Sequence, residues 1–413
     1  MKKIKIANLS NKNLNAQNPS SLGSRYKVSA SQPDYTFIFF ILALAVFGLI
    51  MLLSASSYES ETLTKYPQTF FIRQAGAMAI AMILMFIISF INYNSLRLLS
   101  WPLGFIALIS LILVEFSPLG ISSGGSQRWL NLGPISFQPS EIVKITTLLL
   151  MADGLSRFEW KHIEVLKRLA FCLLMCLLVL KEPDLGTSIL IIASCGSLML
   201  IGGMNLFLFS VGALMGLGAV TLSILNKPYQ LQRFQAWLAP EKDPLNTGYN
   251  LLQSYYAIAW GGIFGTGYGD SLHKSGYLPI SYADFIFAII CEELGTLGAF
   301  IVIGAFIYLL YKGFSISLKA ANSFGKLLGL GIVICLSVQT IFNLSGVVGL
   351  LPVTGMPLPL ISYGKTSLIV IGCMLGILIN ISRYKRVFML NNEIAIKSLS
   401  NVSSMNDTKQ KKH

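Results

Sequence analysis

Only 12% of the chain is charged, so the residues able to do chemistry are few. Asp284 stands in GYLPISYADFIFAIICEELG, where a polar stretch gives way to an apolar one. A carboxylate at such a border could accept a proton from a substrate hydroxyl. An ionisable group at a membrane mouth is a functional candidate by default. Spacing alone keeps a second reading open: Ser281-Tyr-Ala-Asp284 fits the S/T-x-x-D/E signature, so Asp284 could cap the helix that follows. Cations supply the complementary half of a site. Arg128 lies in GGSQRWLNLG, Arg233 in PYQLQRFQAW, Lys274 in DSLHKSGYLP and Lys365 in SYGKTS. Each alone reads as a solvated loop charge. Gathered around Asp284, they would hold a diphosphate while the carboxylate takes a proton. Trp129, beside Arg128, is either an interfacial anchor or a platform for a sugar ring.

Glu292 and Glu293 follow about two helical turns below Asp284. Adjacent carboxylates in an apolar helix are costly unless paired, and Lys144 or Lys365 could supply the partner. Helical geometry puts Glu292 about 80° round from Asp284 and Glu293 about 100° further. Glu292 is therefore expected nearer the cavity, and Glu293 is expected to pair with Lys144. Glu182-Pro183-Asp184 places two acids between two apolar runs, with Asp184 suited to capping. The six Cys all lie in apolar runs and the three His are scattered, so neither a disulfide framework nor a metal site is expected. The phosphate-loop and dinucleotide motifs are missing.

These residues need elements to hold them, and composition says which. Apolar residues make up 54% of the 413, mean hydropathy is +0.66, and about 25% charge would be usual for a soluble protein. The chain reads as an all-α polytopic membrane protein. Runs of spanning length fall near 36–54, 71–91, 97–116, 140–156, 165–181, 184–203, 205–225, 284–311, 326–346 and 362–382, about ten transmembrane helices. The fourth is interrupted by Glu141, Lys144 and Asp153. The net charge of +13 sits mainly in the tails and in clusters at 157–168 and 312–326. That is the bias of cytoplasmic loops, not a nucleic-acid surface, and it puts both termini in the cytoplasm. No cleavable leader is expected ahead of the first run. Residues 1–35 read as a disordered cytoplasmic tail, 36–385 as the membrane domain and 386–413 as a polar cytoplasmic tail. Two polar, punctuated stretches face outward: 117–140, and one long loop, about 226–283, between the seventh and eighth helices. The segment 346–363 (GVVGLLPVTGMPLPLISY) is apolar but too rich in Pro and Gly for a regular helix, so it should fold back as a re-entrant wall.

Several segments taken together resemble the SEDS family (shape, elongation, division and sporulation), the polytopic peptidoglycan glycosyltransferases that include FtsW, RodA and SpoVE. They are GLIMLLSASS (48–57), QRWLNLGPISFQPSE (127–141), EPDLGTS (182–188), DPLNTGYNLLQSYYAI (243–258), GYLPISYADFIFA (276–288) with EELG (292–295), and LLPVTGMPLPLISYG (350–364). They run in family order and cover all but the tails. The resemblance implies a ten-helix fold and polymerisation of lipid II into glycan strands at the outer face of the cytoplasmic membrane. It carries the family's essential acid onto Asp284, its loop Arg-Trp pair onto Arg128 and Trp129, and its acidic pair onto Glu292 and Glu293. This chain departs from the family where Ile280 replaces a Glu, Tyr282 a His and Lys365 the second Gly of SYGG.

Glu182 opening the EPD motif favours the division-type branch, typified by FtsW, over an elongation polymerase of RodA type. That branch implies lipid II and undecaprenyl-diphosphate-linked glycan as substrates. It also implies a class B penicillin-binding protein and other divisome proteins as partners, at the septum. No cofactor is evident, though a divalent cation could ride on the substrate diphosphate. Composition and span count leave two rivals standing: a flippase for the same lipid, without bond chemistry, and a scaffold that only recruits a transpeptidase.

Overall fold

A computed structural model describes residues 26–30, 32–123, 126–131, 133 and 136–388. The chain divides into two units, 32–383 and the two termini, 1–31 with 384–413. In the terminal unit, strands β1 (Tyr26–Ala30) and β5 (Tyr384–Phe388) pair antiparallel, Tyr26 opposite Phe388. The expected disordered tail thus contains a strand. The rest of both tails, 1–25 and 389–413, lies outside the described residues.

The larger unit is helical. Its long elements are α1 (Tyr35–Thr64), α2 (Thr69–Phe90), α3 (Leu96–Phe116), α4 (Pro139–Arg157), α5 (Ile163–Lys181), α6 (Leu185–Ile201) and α7 (Leu206–Asn226). After an interval with two short helices, α8 (Pro228–Leu238) and α9 (Tyr249–Gly261), come α10 (Ile286–Leu318), α11 (Ser323–Val347) and α12 (Lys365–Arg383). Each of the ten apolar runs falls on one of the long helices. Seven of the described helices are long and apolar enough to cross a membrane: α1, α2, α3 with its leading turn, α7, α10, α11 and α12. This is an all-α polytopic membrane fold. Its sheet is minor: between α3 and α4, β2 (Gly120–Ser123), β3 (Ser126–Asn131) and β4 (Ser136–Phe137) form an antiparallel three-stranded patch.

Helix α4 shows why charge can sit in an apolar run. Most of its residues are buried, packed between α3, α5, α6 and α11. Its charges find partners: Lys144 with Glu141 at 2.6 Å, and Asp153 with Arg157 and Arg168, each at 2.8 Å. Where α12 meets α2, small residues let the backbones approach. A side chain at Gly372 would meet the carbonyl of Ala81, and one at Gly376 the carbonyl of Met85.

The 226–283 interval is not the plain loop its Pro and Gly suggest. Pro228 opens α8 at a position where its missing N–H costs nothing. Trp237 on α8 donates to the Gly349 carbonyl at 2.8 Å, pinning the helix to the stretch after α11. That stretch, 348–364, has no regular helix, and Met356, Leu358, Leu360 and Ile361 are buried in it. Helix α10 is broken at Gly295, whose φ of 69° is left-handed. The groups freed by the break are taken up by the segment after α9. Thr266 N–H donates to Glu292 C=O at 2.9 Å, Gly267 N–H to Glu293 C=O at 3.1 Å, and Thr296 N–H to Gly262 C=O at 2.9 Å.

Candidate functional site

Asp284 lies two residues ahead of α10. The capping reading fails: the N-cap residue is Phe285 and no side chain caps this helix. Ser281 donates instead to the Ala55 carbonyl at 3.4 Å. The local chain is shaped by a turn in which Ile280 takes a φ of 56°, its N–H held by the Glu59 carboxylate at 3.1 Å. Ala283 N–H then closes back on the Ile280 carbonyl at 3.1 Å. From the other side, Asn343 of α11 donates to the main-chain carbonyls of Asp284, at 3.0 Å, and Met356, at 2.8 Å. Two carbonyls can only accept, so the amide nitrogen must face them, and Oδ1 is left buried without a partner. Asp284 is thus fixed through its backbone, and among the described residues no hydrogen bond engages its carboxylate.

That carboxylate faces open space. A cavity of about 130 Å³ is lined by Asp284, Arg233, Trp237, Asn250, Pro279 and Ile280. A second, of about 160 Å³, is lined by Arg128 and Arg233 with apolar residues, among them Ile189, Val220, Phe234 and Phe342. A small pocket joins Asp284 to Asn343, Thr354 and Gly355. Arg233 and Val353 are common to both larger cavities. The Arg233 guanidinium donates to the Val353 carbonyl at 3.4 Å. Gly355 sits between the two charges: a side chain begun there would lie 3.6 Å from both Arg233 and Asp284. Burial raises the Asp284 carboxyl above the ordinary aspartate range, with Arg233 and then Arg128 opposing it. The result is a carboxylate with no hydrogen bond among the described residues, close to the Arg233 guanidinium.

The other expected site residues divide. Arg128, on β3, reaches the second cavity, its guanidinium donating to the carbonyls of Glu182 at 3.1 Å and Pro183 at 2.5 Å. Trp129 stands next to it, half-buried opposite Ile121, and lines none of the three cavities. Lys365, at the start of α12, is half-buried and lines none of them either.

Lys274 is not an open cation. Its ammonium has three donors, and they go to Glu293 at 2.8 Å, Ser54 at 2.7 Å and the Gly269 carbonyl at 2.6 Å. Glu293 therefore pairs with Lys274, and the expected Lys144 pairing is wrong. Lys144 is held by Glu141 of its own helix and by Gln339 of α11 at 3.2 Å. Glu292, expected nearer the cavity, is fully buried. It accepts from Ser271 Oγ at 2.5 Å and Leu272 N–H at 2.9 Å, with His273 Nδ1 at 2.9 Å. The Lys144 assignment failed for one reason. The facing angle assumed solvent or a helix on each side, whereas the 271–274 turn reaches down over the two acids.

Asn343 and Gly355 were missed. A lone Asn in the apolar run IFNLSGVV is itself a signal, since polar groups at membrane depth are expensive. The departures from the family pattern also have places. Tyr282 packs against Phe70 and Tyr363, ring centroids 4.9 and 5.5 Å away, and Ile280 lends an apolar patch to the Asp284 cavity.

A helical membrane bundle with a buried carboxylate and two arginines at adjoining cavities defines the class, and similarity to known proteins narrows it. Residues 35–387 match the family described as "Cell cycle protein", FTSW_RODA_SPOVE, and the chain belongs to that family. It is 35% identical to stage V sporulation protein E of Bacillus subtilis, over 86% of this chain and 98% of that one. It is also 35% identical to a "Probable peptidoglycan glycosyltransferase FtsW" of Idiomarina loihiensis, over 92% of this chain and 97% of the relative. In three dimensions it resembles a chain of a peptidoglycan synthase complex that coordinates polymerization and crosslinking. There the TM-score is 0.70 and identity 26%, over 85% of this chain and 98% of the other. The rod-shape-determining protein RodA of Thermus thermophilus matches with TM-score 0.64 and 25% identity, over 85% and 97%.

Proposed function

We propose that the protein is a peptidoglycan glycosyltransferase of the division type that polymerises lipid II at the outer face of the cytoplasmic membrane. The observation that carries this is the Asp284 carboxylate, without a hydrogen bond among the described residues and raised by burial, in a cavity shared with Arg233. Asp284 takes the proton of the acceptor sugar's hydroxyl. The hydroxyl oxygen then bonds to the anomeric carbon of the growing chain, whose bond to the diphosphate breaks, and undecaprenyl diphosphate leaves. Arg233 and Arg128 meet the charge developing on that leaving group. The apolar wall of the second cavity suits the start of a polyprenyl tail. A divalent cation, if used, travels with the diphosphate.

Support for the division branch comes from Glu182 in the EPD motif and from relatives carrying the FtsW name. The same reading places the ten long helices across the membrane, both termini in the cytoplasm and the enzyme at the septum. It takes a class B penicillin-binding protein as partner, as the likeness to a chain of a polymerising and crosslinking complex suggests. The test is purified protein with labelled lipid II, with and without such a partner. Polymer made by the wild type and lost in Asp284→Asn supports the reading. Lipid movement without polymer would replace it with the flippase.

A further inference from the structure

The turn joining α5 to α6 holds two acids that behave differently. Asp184 is fully engaged: it accepts from Thr187 N–H and Oγ1 at 3.2 and 2.9 Å, Gln138 Nε2 at 3.0 Å and Ser140 Oγ at 3.3 Å. Glu182 is 1% exposed, yet neither of its carboxyl oxygens has a partner among the described residues. Arg128 is close enough to act on it electrostatically but does not pair with it. Its guanidinium fork is turned to the main-chain carbonyls of Glu182 and Pro183. An ionised carboxylate beside an arginine would take that fork. The remaining charged groups around the turn do not help an anion. Asp184 at the start of α6 and Glu115 at the end of α3 both repel it. Lys181 is paired with Glu115 at 3.0 Å, and Lys227 caps the end of α5 on the Leu180 carbonyl at 2.7 Å.

We propose that Glu182 is a positioning residue carried as the neutral acid, which lets its backbone hold Arg128 while leaving the guanidinium charge to an anionic phosphate group in the second cavity. This rests on the cavity being the diphosphate site. Burial, then Asp184 and Glu115, push the Glu182 carboxyl up to about 8 against the pull of Arg128. The sign follows: below that pH the acid is neutral and Arg128 acts at full charge. Above it, a carboxylate forms beside Arg128 and offsets that charge, so the grip on phosphate weakens.

The experiment compares KM for lipid II at pH about 7 and about 9 in wild type and Glu182→Gln. A single proton lost near pH 8 should raise the wild-type KM about tenfold over that range, with kcat moving less. In Glu182→Gln the ratio of the two KM values should stay near one, because the amide cannot ionise. An equal alkaline rise in both proteins overturns the proposal. Infrared spectroscopy of glutamate-labelled wild-type protein gives a second measurement that needs no turnover. A protonated carboxyl band should be present at neutral pH and vanish as pH passes about 8, and its absence at neutral pH also overturns the proposal. Should the wild type make no polymer at all, the glycosyltransferase reading fails, while the infrared titration still decides the state of Glu182.

Discussion

Asp284 and Lys274 carry opposite charges within one short stretch, and the structure gives them opposite jobs. Lys274 spends every donor, on Glu293, Ser54 and the Gly269 carbonyl, so Lys274→Met should strand Glu293 in the core and cost about 3–5 kcal/mol. The double variant with Glu293→Gln should recover most of the loss, a difference that thermal unfolding in detergent resolves. Asp284 spends nothing on its carboxylate. In the proposed mechanism its ionised form is the base, so the rate should climb with pH through a carboxyl value above the ordinary aspartate value of about 3.9. Removing the opposing cation in Arg233→Ala should move that acid limb higher still, beyond weakening substrate binding. A pH–rate profile that stays put would exclude Arg233 as the neighbour that matters. Asp284 was legible in the sequence because it marks a polar-to-apolar border within a recognised motif. The partner of Glu293 was not, because Lys274 reaches it through a turn whose shape no periodicity encodes.

At the scale of elements, the apolar runs declared the long helices, since burial or lipid leaves each a plain hydropathy signal. Short helices declared themselves poorly. PYQLQRFQAWL is only 11 residues long, mixes Gln, Arg and aromatics, opens on Pro228 and is followed by Pro240, so α8 read as loop. The break in α10 was equally hidden, because a Gly inside an apolar helix is usually tolerated without one. Its left-handed φ makes a test. Gly295→Ala should be strained by about 1 kcal/mol or more, and its new side chain would meet the backbone at Ile263 and Gly265. Gly304, further along α10, has open space for a side chain, so Gly304→Ala should be neutral or slightly stabilising. Thermal-shift measurements on the pair separate the break from a general effect of glycine. Asn343→Leu keeps the bulk but drops both carbonyl bonds, and should lower kcat more than it alters KM, since it frees the backbone of Asp284.

For the molecule as a whole, the buried charges of α4 bear on how the protein is made. Chain synthesis delivers α4 well before α11, the helix that covers it and supplies Gln339 to Lys144. The Asp153 partner Arg168 also arrives later, on α5. In the ten-span reading, α4 on its own carries Glu141, Lys144 and Asp153 into a lipid phase that penalises a charge by about 2.5–3.5 kcal/mol at mid-membrane. The nascent helix should therefore wait beside the insertion machinery, and settle only when its neighbours emerge. Glycosylation-site mapping of truncated chains can follow this. Chains ending after α4 should integrate poorly, those ending after α6 better, and those including α11 fully. Replacing Glu141 and Lys144 together with leucine should make the short chain integrate early, trading a schedule of assembly for a helix that no longer needs one.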